Sequence, residues 1–186
     1  MLRSRLLPWF LSASLLFAAA CSDSVSAPAK VAAADPAKPV LVTLTGSVRL
    51  TGEKLYPVAL STSDGQEIRL TGESAKMLTS VENAGVEVHG QWNSEADNEF
   101  LVADFLVRTV DGGAVIDGTL VATYFTPTEI GGDPAGYAIR PTDGGFDVIV
   151  SDASPDLLTH LNERLWVAGI EGSGGVPTSY GVIKEM

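Results

Sequence analysis

Hydrophobic spacing divides the chain into three regimes. Leu6 to Ala20 form a mainly apolar run, preceded by Arg3 and Arg5 and ended by Ala18, Ala19 and Ala20. Residues 22–38 mix small residues with prolines and show no period. From Val40 the spacing becomes regular: Val40, Val42, Leu44, Gly46, Val48 and Leu50 alternate with Leu41, Thr43, Thr45, Ser47, Arg49 and Thr51. Period two over such a length predicts a long, half-buried strand. Gly46 inside it predicts a bend or bulge.

The alternation continues through a series of short elements. Thr51-Gly52-Glu53-Lys54 predicts a turn, and Tyr56, Val58 and Leu60 a second strand. Ser63-Asp64-Gly65-Gln66 then turns the chain into a third strand, Glu67 to Thr71, as an Asp-Gly pair in a hairpin does. Helical spacing follows at Met77, Leu78 and Val81, with Ser74 as the expected N-cap. Asn83-Ala84-Gly85 ends it, Gly85 being the expected left-handed residue. Val86, Val88, Gly90 and Trp92 predict a fourth strand with Trp92 facing the core. After the polar connection Asn93 to Glu99, Phe100 to Val110 predict a fifth, closed by Asp111-Gly112-Gly113.

Residues 114–186 run through the same order. Leu44, Gly46 and Val48 correspond to Ile116, Gly118 and Leu120; Tyr56 and Val58 to Tyr137 and Ile139. Ser74, Met77 and Leu78 correspond to Ser154, Leu157 and Leu158, and Val86, Val88 and Gly90 to Leu165, Val167 and Gly169. The second helix has the stronger start, with Ser154 as cap, Pro155 at its first position and Asp156 at the positive end of the dipole. The reading is an all-β body with one short helix per repeat, divided into residues 39–112 and 113–186. One larger barrel or sandwich without duplication remains the alternative.

Strand, strand, strand, helix, strand, strand, with a long bent first strand, is similar to the oligonucleotide/oligosaccharide-binding (OB) barrel. The resemblance implies two tandem five-stranded OB-like barrels, which bind through the loops joining strands one to two and four to five. The loop joining strands one and two is longer in the second repeat than in the first, roughly Thr126 to Gly136. Its aromatic rim, Tyr124, Phe125 and Tyr137, makes it a candidate ligand loop, and its composition reads equally as an ordinary flexible loop.

The amino-terminal regime has the three parts of a secretory signal. Its apolar run is about 15 residues, short of the roughly 20 that cross a bilayer. The chain's one cysteine, Cys21, follows Ala20 directly. The segment resembles a bacterial lipoprotein signal, with Ala18 where that family prefers Leu. The resemblance implies cleavage before Cys21 and diacylglycerol on its thiol. Acylation of the amine as well gives the chains needed for stable anchoring. An ordinary cleaved signal is the alternative. Residues 21–38 then form a tether between lipid and body. Ser22, rather than Asp, implies an outer-membrane anchor facing the periplasm; Asp23 one place on weakens that sorting reading.

Charge narrows the partners. The whole chain carries −11, and loss of residues 1–20 with Arg3 and Arg5 leaves 166 residues at −13. Such a chain is repelled by phosphate backbones, which excludes nucleic acid as the expected partner. With one cysteine, no disulfide or cysteine metal site forms within the chain. Asn93 to Glu99 places Glu95, Asp97 and Glu99 at alternate positions, the oxygen ligands a hard cation prefers. That loop also reads as a solvated hairpin, and no metal is expected. His89 and His160 have no evident carboxylate partner and read as surface residues. No Gly-x-Ser-x-Gly or phosphate-cradling glycine loop is present, and no cofactor is expected. The resulting expectation is a lipid-anchored, non-catalytic binding or interaction module in the periplasm. Its partner would be an envelope protein, a glycan or a small ligand. The alternatives are an envelope hydrolase using carboxylates such as Glu87, Asp104 or Asp147, and a passive spacer.

Overall fold

The computed structural model describes residues 41–124 and 134–184. The signal at 1–20, Cys21, the tether at 21–38, Phe125 and most of Thr126 to Gly136 lie outside them. The described residues are mostly β-strand, as the alternation predicts. The first half contains β1 (Val42–Leu50), β2 (Val58–Ser61), β3 (Glu67–Thr71), α1 (Glu73–Met77), β4 (Gly85–Trp92) and β5 (Glu99–Val110). A 3-10 turn, Leu78–Val81, continues α1. β1 pairs with both β2 and β4, β2 with β3, β3 in parallel with β5, and β5 with β4. The pairings therefore return to β1.

β5 leads into β6 (Gly113–Thr123) through a tight turn in which Asp111 and Gly112 both take positive φ, 51° and 78°. Paired positive φ values suit a two-residue hairpin because they match the twist of its strands. β7 (Gly136–Pro141), β8 (Val148–Val150), α2 (Pro155–Leu158), β9 (Arg164–Ala168), β10 (Gly174–Gly175) and β11 (Ser179–Val182) follow. β6 pairs with β7 and β9, β7 with β8, β8 in parallel with β10, and β9 with β11. The second half thus repeats the pairing order of the first, with its last strand broken between β10 and β11.

Particular positions recur as well. Val48 donates to Ala84 O and accepts from Asn83 N, both at 2.9 Å; Leu120 makes the same two bonds with Glu163 and Asn162, at 3.2 and 2.8 Å. Gly46 and Gly118 mark where the long first strand of each half changes partners. A β-carbon at Gly46 would stand 2.5 Å from Ser61 O, and one at Gly118 2.4 Å from Arg140 O. Only a residue without a side chain lets the backbones approach so closely.

Two apolar clusters lie beneath these strands. One gathers Val48, Leu60, Leu70, Leu78, Phe100 and Phe105, among others; the second gathers Leu120, Ile139, Leu157, Leu165 and Val167. Ile183 is buried in the first cluster, and Val115 and Trp166 pack against it. Trp166 is therefore half-buried against the first cluster.

Four local expectations change. Trp92 keeps the core phase but lies at the strand's end, 45% exposed, with its ring edge-on to Phe100 at 5.3 Å. A register shift at His89/Gly90 precedes it. The cap of α1 is Gly72, which has no side chain to bond; Ser74 lies within the helix, and its hydroxyl donates to Ala103 O at 2.9 Å. The left-handed residue after the 3-10 turn is Asn83, φ 65°, not Gly85. Gly85 is small for another reason: a β-carbon there would meet Thr109 Oγ1 at 2.3 Å. Finally, Ile139 lies opposite Leu120 as Leu60 lies opposite Val48. Tyr137 is therefore the counterpart of Val58, two residues from the pairing expected from the sequence.

Ser154 caps α2 as predicted, its hydroxyl accepting from Leu157 N at 3.2 Å with Pro155 next in the chain. Ser63 to Gln66 makes the predicted hairpin, with Gly65 at φ 83° and Thr62 N bonded to Gln66 O at 2.9 Å.

Candidate binding face

The outward side of β1, β2 and β3 carries a row set by strand register. Arg49 lies opposite Ala59, Ala59 opposite Arg69, and Arg69 opposite Glu99. Adjacent strands are about 4.8 Å apart, so the two arginine stems stand roughly 10 Å apart across an alanine floor. Ala59 is fully buried while both arginines are exposed.

Two loops flank this row and both are held. In the loop after β1, Thr51 donates its hydroxyl to Tyr56 O and accepts from Glu53 N at 3.0 Å. That places the Tyr56 ring under Arg69, whose guanidinium carbon lies 5.2 Å from the ring centroid. At an exposed site such a contact contributes about 0.5–1 kcal/mol, which favours this placement of the long side chain. In the loop between β4 and β5, Asn98 takes φ 62°, donates its amide to Glu67 O, and accepts from Arg69 N at 3.0 Å. The concavity so formed measures about 640 Å³ and is lined by Arg49, Thr51, Glu53, Glu67, Arg69 and Asn98, with Leu50.

Electrostatically the row stands apart. Arg108 pairs with Glu87 and Asp143, Arg140 with Asp147, and Arg164 with Asp117. Among the described residues, Arg49 and Arg69 have no carboxylate within ion-pair distance. The matching row of the second half is Val121, Ala138, Ile149 and Gly174. Its alanine is retained, but both arginine positions are apolar, and Ile149 is 50% exposed. Positive charge on this row is therefore not required by the strands that carry it.

A second polar group sits where the halves meet. Asp117, with its side chain 3% exposed, accepts from Val107 N and from Arg164 Nε and Nη2, each at 2.8 Å, and from Thr142 Oγ1 at 3.0 Å. Arg164 also donates to Phe105 O and lies 4.4 Å from the Phe105 ring centroid. Thr45 and Gly85 occupy the corresponding places in the first half. The pair joins β6 and β9 to the last strand of the first half.

Of the residues singled out from sequence, Glu99 ends this row opposite Arg69, and the other described ones fall elsewhere. Tyr124 is 41% exposed just past the end of β6, and Tyr137, half-buried at the start of β7, packs against the second cluster. Glu95 and Asp97 are exposed, and Glu99 Oε1 accepts from Asn93 Nδ2 at 3.1 Å. Asn93 also accepts from Glu95 N at 3.0 Å, and among the described residues no group of three or more His, Cys, Asp or Glu side chains could hold a metal. Both histidines have carboxylate partners, contrary to the reading from sequence: His89 bonds Glu87 at 2.9 Å along one strand face, and His160 bonds Glu163 at 2.8 Å. The His89 hydrogen bond, with Arg108 beside it, holds Glu87 below the usual carboxylate range. Asp104 accepts from Phe105 N, and Asp147 is engaged by Arg140. Glu87, Asp104 and Asp147 thus have separate partners. Among the described residues no helix is long and apolar enough to cross a membrane.

Sequence spacing did not pick out Arg49 and Arg69. Both occupy polar phases of their strands, and only register places them on one row. No known family, no curated protein and no solved structure matches the chain.

Proposed function

We propose that this chain is a lipid-anchored lipoprotein of the cell envelope whose body is a non-catalytic binding module built of two tandem OB-like barrels. The anchor is a diacylglycerol on Cys21, and the outer membrane facing the periplasm is its place. The recurring circuit of pairings, with a short helix before the fourth strand of each half, supports the barrel reading. The observation that carries the binding reading is the arginine row between the two held loops. Those loops join strands one to two and four to five of the first half, where OB barrels take ligands.

Two measurements test this. Radioactive palmitate should label the wild-type protein and not Cys21→Ser; equal label in both ends the anchor. Thermal melts of the full chain in detergent, run against oligosaccharide panels, test binding. A ligand at 100 times its dissociation constant adds about 2.7 kcal/mol to native stability, a rise of several degrees. A flat response to every ligand favours the spacer reading.

A further inference from the structure

We infer that the first-half face takes an acidic glycan, a chain carrying both hydroxyls and spaced carboxylates or other oxyanions. This rests on the binding-module reading and names the ligand class of that same face. Arg49 and Arg69 are the described arginines without carboxylate partners, in a protein of strongly negative net charge. Guanidinium groups match planar oxyanions through paired N–H donors. The Arg69 guanidinium already rests over the Tyr56 ring, so less side-chain freedom is lost on binding.

The same concavity also holds Glu53 and Glu67. Carboxylates there repel an uninterrupted polyanion but accept hydrogen bonds from sugar hydroxyls. A ligand alternating hydroxyls with spaced negative groups satisfies both arginines and both glutamates. A phosphodiester backbone carries no hydroxyls beside its charges and satisfies the arginines alone, whereas the net charge of the protein repels either polyanion alike. The apolar counterpart row, Val121 to Ile149, lacks this chemistry, so one anionic site per chain is expected.

The experiment is calorimetric titration of the full chain in detergent with three probes: a polyuronate oligomer, a neutral glucan oligomer of equal length, and oligodeoxythymidylate. Inorganic phosphate serves as a competitor, to separate a response to any oxyanion from recognition of the chain. The polyuronate should bind with one site and weaken as salt rises. Arg49→Gln and Arg69→Gln should each weaken it at least about tenfold. Arg69→Lys should fall between, and Arg140→Gln, on a distant ion pair, should not change it. Melting temperatures within about a degree of wild type show that the variants fold.

Equal binding of polyuronate and glucan, unaffected by the arginine variants, overturns the acidic class while leaving a glycan-binding module standing. Full displacement by phosphate at low concentration overturns chain recognition. Tighter binding of oligodeoxythymidylate overturns the inference in favour of nucleic acid. Binding of no probe overturns it as well, and palmitate labelling then shows whether the anchor reading survives alone.

Discussion

Replacing Asp117 by alanine removes the acceptor for four hydrogen bonds and the counter-charge of Arg164 at once. Breaking a buried ion pair by deleting one partner costs about 3–5 kcal/mol, because the other charge stays behind. The Coulomb attraction alone is about 4 kcal/mol at 4 Å and an effective dielectric of 20. Arg164 is 19% exposed and retains its bond to Phe105 O, which offsets part of that loss. The expected cost is therefore near the lower end, about 3 kcal/mol, or a fall of about 6–12 °C in melting temperature. Urea titration should show a lower midpoint with an unchanged slope. Asp117→Asn, which can still accept from Val107 N, should cost less than alanine. Arg164→Met combined with Asp117→Ala should destabilise less than the two singles summed, by about 2 kcal/mol. A loss under about 1 kcal/mol for Asp117→Ala would show that the junction is not held by this pair.

Gly46→Ala and Gly118→Ala should each cost about 1–3 kcal/mol through backbone displacement, by similar amounts if the two strands are equivalent; a loss at one site only, in chemical denaturation, breaks the equivalence. Ser154→Ala should lose about 1 kcal/mol of cap stabilisation, while Ser74→Ala loses only an exposed side-chain bond, so thermal melts that rank them in reverse contradict the cap assignments. Glu87 is held low by His89 first and Arg108 next. Its stabilisation is therefore full at neutral pH and lost as the pH falls below 4.5, the ordinary value of the group. Glu87→Gln should flatten stability across that acid window; an unchanged acid limb in denaturation curves taken from pH 6 to 3 removes Glu87 from it.

Local periodicity determined much of this protein. The alternation from Val42, the Asp-Gly turn at Asp64 and the Ser-Pro-Asp start of α2 are properties of near neighbours, and the structure forms them in place. Tyr137 was misjudged by two residues because period-two spacing cannot tell one inward position from the next. Trp92 was misjudged because phase names a face but not where a strand runs out of the core. The arginine row and the Asp117–Arg164 pair belong to tertiary structure alone. Their members are 20 and 47 residues apart in the chain, and only strand register brings them together. A charged side chain at a polar phase reads the same in sequence whether it faces solvent, a partner strand or a ligand. Pairing decides among these, because burial and counter-charge are set by what lies across the strand rather than along it.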